Sequence, residues 1–133
     1  MEVHIANLCN SKVKAGEIQS TIRKILKTEK SKSEGVNIIF CDDKKILELN
    51  RRFRQINKPT DVLSFPFDDS DLLGEIYISL DTAKKQSEKN GNSFDNEIQR
   101  LVVHGCVHLL GYNHKNKRDQ RKMEEVEAKY CKL

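Results

Sequence analysis

The stretch FDNEIQRLVVHGCVHLL, Phe94 to Leu110, limits what this chain can fold into more than any other. Ser93 precedes it as a helix cap, although the capping-box position three residues on is Asn96 rather than Glu or Gln, and Glu97 lies one residue further. Beyond the first turn, apolar residues fall on nearly every side of the helix instead of along one stripe. That pattern predicts a helix whose second half is buried at the centre of a domain. A chain of 133 residues has the length to wrap one such core and no second module of ordinary size. We therefore expect one domain over residues 1–133.

The remaining segments supply the wrapping. EVHIANL alternates as a half-buried strand would, with Val3 and Ile5 on one face, His4 on the other, and Leu8 a further candidate for the buried set. Ile18, Ile22, Ile25 and Leu26 recur at helical spacing, and VNIIFCD reads as a short strand. Asp42 or Asp43 can cap a helix in KKILELNRRF, whose apolar stripe would be Ile46, Leu49 and Phe53. Pro59 stops that helix from continuing. Val62, Leu63 and Phe65 form a strand closed by Pro66, and LLGEIYISL forms another with Ile76 and Ile78 on one face. A polar helix follows from about Asp81 to Lys89, and a last helix carries a thin stripe of Met123, Val126 and Tyr130.

Composition narrows the class. Hydrophobic residues at 37% and charged residues at 33% suit a folded globule with a charged surface. The cysteines, Cys9, Cys41, Cys106 and Cys131, are dispersed without a C-x-x-C pair, which predicts free thiols in a reducing compartment. No secretion signal or membrane-length apolar run is present, so we expect a cytoplasmic protein with no membrane partner. A net charge of +4 accommodates a polyanion without requiring one.

Three of the four histidines lie in HGCVHLLGYNH, His104 to His114. His104 and His108 are four residues apart, so on a helix they share a face, offset by about 40° and by about 6 Å along the axis. Both rings can reach one ion. A continued helix would carry His114 about 9 Å past His108 and off that face. Gly111 can turn the chain back, because glycine accepts the left-handed conformation that ends many helices. Three neutral imidazoles would leave one position of a tetrahedral zinc for water, whose pKa then falls to about 7. Hydrolysis is the chemistry this predicts. Cys106, rotated about 200° from His104, is expected to pack rather than to ligate.

The spacing H-x-x-x-H-x-x-G-x-x-H is that of metzincin metalloproteases, where a Glu follows the first histidine as general base. Here Gly105 takes its place. A metzincin-like metalloprotease would need another carboxylate, and Glu75 or Asp61 would have to be brought to the metal by the fold. Glycine inside a helix costs about 1 kcal/mol relative to alanine, so its presence needs a reason. Close packing of another backbone is one. Room beside the metal for an anionic phosphodiester, which a glutamate would repel, is the other.

Together with LNRRFRQINKPTDVLSFPF and LLGEIYIS, the histidine segment closely resembles the YbeY family of endoribonucleases, bacterial rRNA maturation factors. The similarity covers about Leu49 to His114. It implies a zincin-like α+β single domain, with a small mixed sheet of about four strands packed with helices and the metal site on a buried central helix. It implies one zinc per chain on His104, His108 and His114, the trio that spacing selects. It further implies maturation of small-subunit ribosomal RNA at its 3′ end. The small ribosomal subunit, its RNA and ribosome-associated assembly factors are the partners to expect.

The family's functional arginine falls on Arg54, whose flat guanidinium could grip a phosphate and stabilise charge developing at phosphorus, beside the metal-bound water as nucleophile. Asn113 stands where such proteins commonly carry Asp, and an amide cannot take up a proton near neutrality. Arg51, Arg52, Arg54 and Lys58, with Lys115, Lys117, Arg118, Arg121 and Lys122, could form a phosphate-binding rim. The second cluster reads equally as a solvated helix face, because Asp119, Glu124, Glu125 and Glu127 are mixed into it. A ribosome-assembly factor whose metal is structural is a further alternative.

Overall fold

In the computed structural model, which describes residues 2–33, 35–67 and 71–131, strands and helices follow the segments read above. β1 (Glu2–Asn7) leads to α1 (Ala15–Thr28), β2 (Gly35–Cys41) and α2 (Asp43–Arg54). β3 (Val62–Pro66) and β4 (Leu72–Ser79) follow, then α3 (Leu80–Asn90), α4 (Phe94–Leu109) and α5 (Lys117–Tyr130). The sheet runs β1-β2-β4-β3. β1 and β4 pair parallel to β2, and β3 pairs antiparallel to β4 at one edge. The sheet is therefore mixed and four-stranded among the described residues, in an α+β domain.

Caps set the helix starts. Asp42, not Asp43, caps α2 by accepting from the Lys45 amide at 2.8 Å, and Ser93 caps α4 through the Asn96 amide at 3.1 Å. The Asp43 carboxylate instead accepts from the Ser79 and Thr82 hydroxyls, both at 2.5 Å, which fastens α2 to the start of α3.

One face of the sheet builds the main core. Val3, Val36, Ile38, Phe40, Ile76 and Ile78 meet Ile18, Ile22, Ile25 and Leu26 of α1 and Leu101, Val102 and Cys106 of α4. α4 touches α1, α3, α5, β3 and β4, which is why its sequence is apolar all round. The thin stripe of α5 closes over it through Met123 and Val126. On the opposite face α2 makes a smaller core from Cys41, Ile46, Leu49 and Leu63.

Two expected core residues lie outside. Phe53 is 53% exposed, and the α2 stripe is closed by buried Asn50, whose Nδ2 donates to the Lys58 carbonyl at 2.9 Å. In the last turn of α2 Phe53 meets β3 through Phe65, ring centroids 5.5 Å apart, and leaves the rest of its surface to solvent. Leu8 is 65% exposed, one residue past the end of β1. All four cysteines are free. Among the described residues no helix is long and apolar enough to cross a membrane.

Candidate active site

Along α4, residues 101–109 are buried except at His104 and His108, which open toward the surface as half-buried breaks in the run. The helix ends at Leu109. Leu110 donates its amide to the Cys106 and Val107 carbonyls, and the Gly111 amide meets the His108 carbonyl at 3.0 Å. Gly111 then takes φ +106°, a conformation that favours glycine, and the chain reverses. Asn113 accepts from the Lys115 amide at 3.0 Å, and Asn116 caps α5. Asn113 thus shapes the turn that carries His114, with its carbonyl oxygen committed to backbone.

The bend brings the three rings together. The His114 ring lies 5.2 Å from that of His104, at an interplanar angle of 17°, and 6.2 Å from that of His108. A tetrahedral ion at about 2.1 Å from each nitrogen sets such centroids roughly 5 Å apart. The first pair meets that spacing and the second is wider. Among the described residues no three histidine, cysteine or carboxylate side chains are drawn into coordination contact. The imidazoles are gathered but not closed.

Their supports fix which nitrogens remain for a ligand. His104 Nδ1 lies 2.6 Å from Glu127 Oε1, and His108 Nδ1 lies 3.0 Å from the Tyr112 carbonyl oxygen. A carbonyl only accepts, so His108 carries its proton on Nδ1 and leaves the Nε2 lone pair for a ligand. Burial pushes the His108 pKa down, and His104, His114 and Arg54 add to the shift. A neutral imidazole is the form that binds a metal. Glu29, at the end of α1, accepts from Tyr112 and Tyr130 at 3.3 and 2.5 Å, tying the return bend and α5 to the same point.

Opposite the histidines stands the edge strand. A cleft of about 170 Å³ is lined by Arg54, Val62, Leu63, Ser64, His104, His108 and His114. Arg54 Nη2 donates to the Ser64 carbonyl at 2.9 Å, with its guanidinium carbon 5.5 Å from the Phe65 ring centroid. One N–H is spent there, and a guanidinium has five. Among the described residues no carboxylate lines this cleft. A larger one of about 720 Å³ lies around Thr21, Gln99 and Arg100 between α1 and α4, and it holds no histidine. The smaller cleft is the one with metal-binding and anion-binding groups together.

Four expectations change. Gly105 does not open space beside the histidines: a Cβ there would stand 2.7 Å from Ile76 Cγ2 and 3.2 Å from Ser64 Oγ. It is small because α4 lies tight against the sheet, where Ser64 Oγ donates to the Gly105 carbonyl at 3.2 Å. The neighbours are side chains, not the backbone expected. Glu75 belongs to the α2 side of the sheet, and Asp61 accepts from the Val62 amide at 2.8 Å, so neither lines the cleft. Glu127, read as part of a solvated face, supports His104. Its position four residues after Met123 marked it as inward-facing. Cys106 is buried, its thiol pushed up to about 12 by burial, and packs as expected.

The comparisons with known proteins agree with this architecture. The signature of the family described as Endoribonuclease YbeY matches residues 4–133. A relative of that description from Acholeplasma laidlawii is 42% identical over 126 residues, 92% of this chain and 89% of the relative. One from Nautilia profundicola is 47% identical over 94 residues, 69% of this chain and 68% of the relative. A solution structure of a Thermotoga maritima protein superposes with a TM-score of 0.73 at 30% identity, covering 98% of this chain and 87% of that one. On sequence and fold together, the chain belongs to the YbeY endoribonuclease family.

Proposed function

We propose that this chain is a zinc-dependent endoribonuclease that cuts single-stranded or partly structured RNA and serves the 3′-end maturation of small-subunit ribosomal RNA. The observation that carries the reading is the cleft itself: three imidazoles, two of them held by Nδ1, face Arg54 with no carboxylate in the lining. His104, His108 and His114 would hold the metal, one per chain. Zinc so held supplies a Lewis acid and an activated nucleophile at neutral pH.

The chain's own groups divide the remaining work. Glu127 orients the His104 ring through Nδ1, and the Tyr112 carbonyl keeps the His108 proton on Nδ1. Arg54, held by the Ser64 carbonyl, presents its other N–H donors to a phosphate oxygen and stabilises charge developing at phosphorus. Among the described lining residues a phosphodiester meets no carboxylate. Peptide hydrolysis would need a carboxylate base, and the two candidates for it, Glu75 and Asp61, are placed elsewhere.

The test is cleavage of a defined RNA by metal-stripped and zinc-restored protein, with His104→Ala as contaminant control. Activity should vanish on stripping, return with zinc and be absent from the variant. Cleavage persisting in His104→Ala would overturn the proposal. A folded His114→Ala protein that binds RNA without cutting it separates an enzyme from an assembly factor with a structural metal, in which folding and ribosome binding would fail together.

A further inference from the structure

The second face of the sheet carries a feature that the cleavage chemistry does not use. Phe53 of α2, Phe65 of β3 and Tyr77 of β4 stand edge to face in a row, with centroid separations of 5.5 and 5.8 Å. They border a groove of about 240 Å³, completed by Leu49 and Glu75. That is less than the roughly 300–1,000 Å³ of a site for a drug-sized ligand, and it is the scale of a single planar ring system. Phe53 is a large ring left 53% exposed at the helix end, where solvent contact brings no stability.

Two arginines accompany the rings. The Arg52 guanidinium lies 5.4 Å from the Phe53 centroid, and that of Arg54 lies 5.5 Å from Phe65. Arg54 also lines the histidine cleft, so it stands between that cleft and Phe65, the middle ring of the row. Rings that offer stacking beside arginines that can hold the backbone are what an unpaired nucleic-acid strand requires. Glu75, inside the groove, repels a phosphate yet can accept a hydrogen bond from an exocyclic amino group.

We infer that the Phe53–Phe65–Tyr77 groove is a base-stacking subsite that seats one nucleobase of the RNA strand next to the phosphate held in the histidine cleft. The inference rests on the RNA-cleaving function proposed above. The strand crosses the free edge of β3, its backbone against Arg52 and Arg54 and one base turned into the groove. Glu75 favours a base with an amino group there.

The experiment measures kcat and KM of the zinc-restored chain on a short single-stranded RNA, for wild type, Phe53→Ala and Phe53→Tyr, and on RNAs with a single abasic nucleotide at each position. Loss of one stacked base should raise KM about tenfold or more in Phe53→Ala. Phe53→Tyr should stay near wild type, and Phe53→Ala should remain folded at the assay temperature, melting only a few degrees lower for loss of the Phe65 contact. One abasic position should weaken wild type to the same degree and weaken Phe53→Ala no further. Wild-type KM in Phe53→Ala, or abasic losses that multiply with the substitution, would overturn the subsite while leaving the nuclease standing. RNA that wild type neither binds nor cuts would overturn both.

Discussion

An alanine at position 105 separates the two explanations for its glycine by the sign of one stability change. Its Cβ would lie 2.7 Å from Ile76 Cγ2, 3.2 Å from Ser64 Oγ and 3.3 Å from Ile76 Cδ1. Comfortable carbon contacts lie at about 3.5–4.0 Å, so something must yield by about 1 Å. Ile76 is fully buried and branched at Cβ, with little rotamer freedom to yield. Overpacking of this kind costs about 1–3 kcal/mol, and removing a helix glycine returns about 1 kcal/mol. Gly105→Ala should therefore destabilise by about 1 kcal/mol, a lower melting temperature by roughly 3–5 °C for a domain of this size. Denaturant titration with an unchanged slope would report it as a shifted midpoint. If position 105 bordered open space, only the helix gain would remain. A variant more stable than wild type by about 1 kcal/mol would refute the packing argument.

Substitutions at two further positions test supports seen only in three dimensions. Glu127→Gln keeps an acceptor for His104 Nδ1 but loses the charge, so zinc affinity should fall about tenfold, and Glu127→Ala should approach a hundredfold loss; competition against a chromophoric chelator measures both, and affinity within twofold of wild type would contradict the support. Burial pushes the Asp43 carboxyl up, but hydrogen bonds from Ser79, Thr82 and Lys85 outweigh it and hold the pKa below the usual aspartate value. A depressed folded pKa contributes stability above the unfolded value, about 4, that is lost as pH falls through the folded one. Asp43→Asn should thus unfold at lower denaturant than wild type at pH 7, with the gap narrowing below about pH 4.

What could be read from residue order follows the range of each interaction. The buried centre of α4, the cap at Ser93 and the break at Gly111 are local, and each was legible from a few neighbouring residues, whereas the cap of α2 was narrowed only to Asp42 or Asp43. The exposure of Phe53 was not. A helical stripe shows which side of α2 is apolar but not how far the sheet beneath it extends. The order β1-β2-β4-β3 depends on pairings remote in sequence. Glu127 reaches His104 from 23 residues away, and Glu29 reaches Tyr112 and Tyr130 from 83 and 101. The Glu29 contacts leave no periodic trace, and the spacing of Glu127 from Met123 showed the side it faces but not the ring it meets, which is why the histidines could be found and their supports could not.

Ser64 shows how closely the parts of the cleft depend on one another. It is nearly buried in the edge strand, its hydroxyl donates to the Gly105 carbonyl of α4, and its own carbonyl accepts from Arg54. An edge strand normally presents unpaired backbone groups, and here the arginine occupies one of them. The same residue therefore sets the distance from β3 to the histidine helix and the distance from β3 to the arginine. Arg54 and the α4 imidazoles are registered against one short strand and not against each other. The glycine at 105 follows from that arrangement: α4 must lie close enough for the Ser64 hydroxyl to reach its backbone, and at that separation Ile76 leaves no room for a side chain.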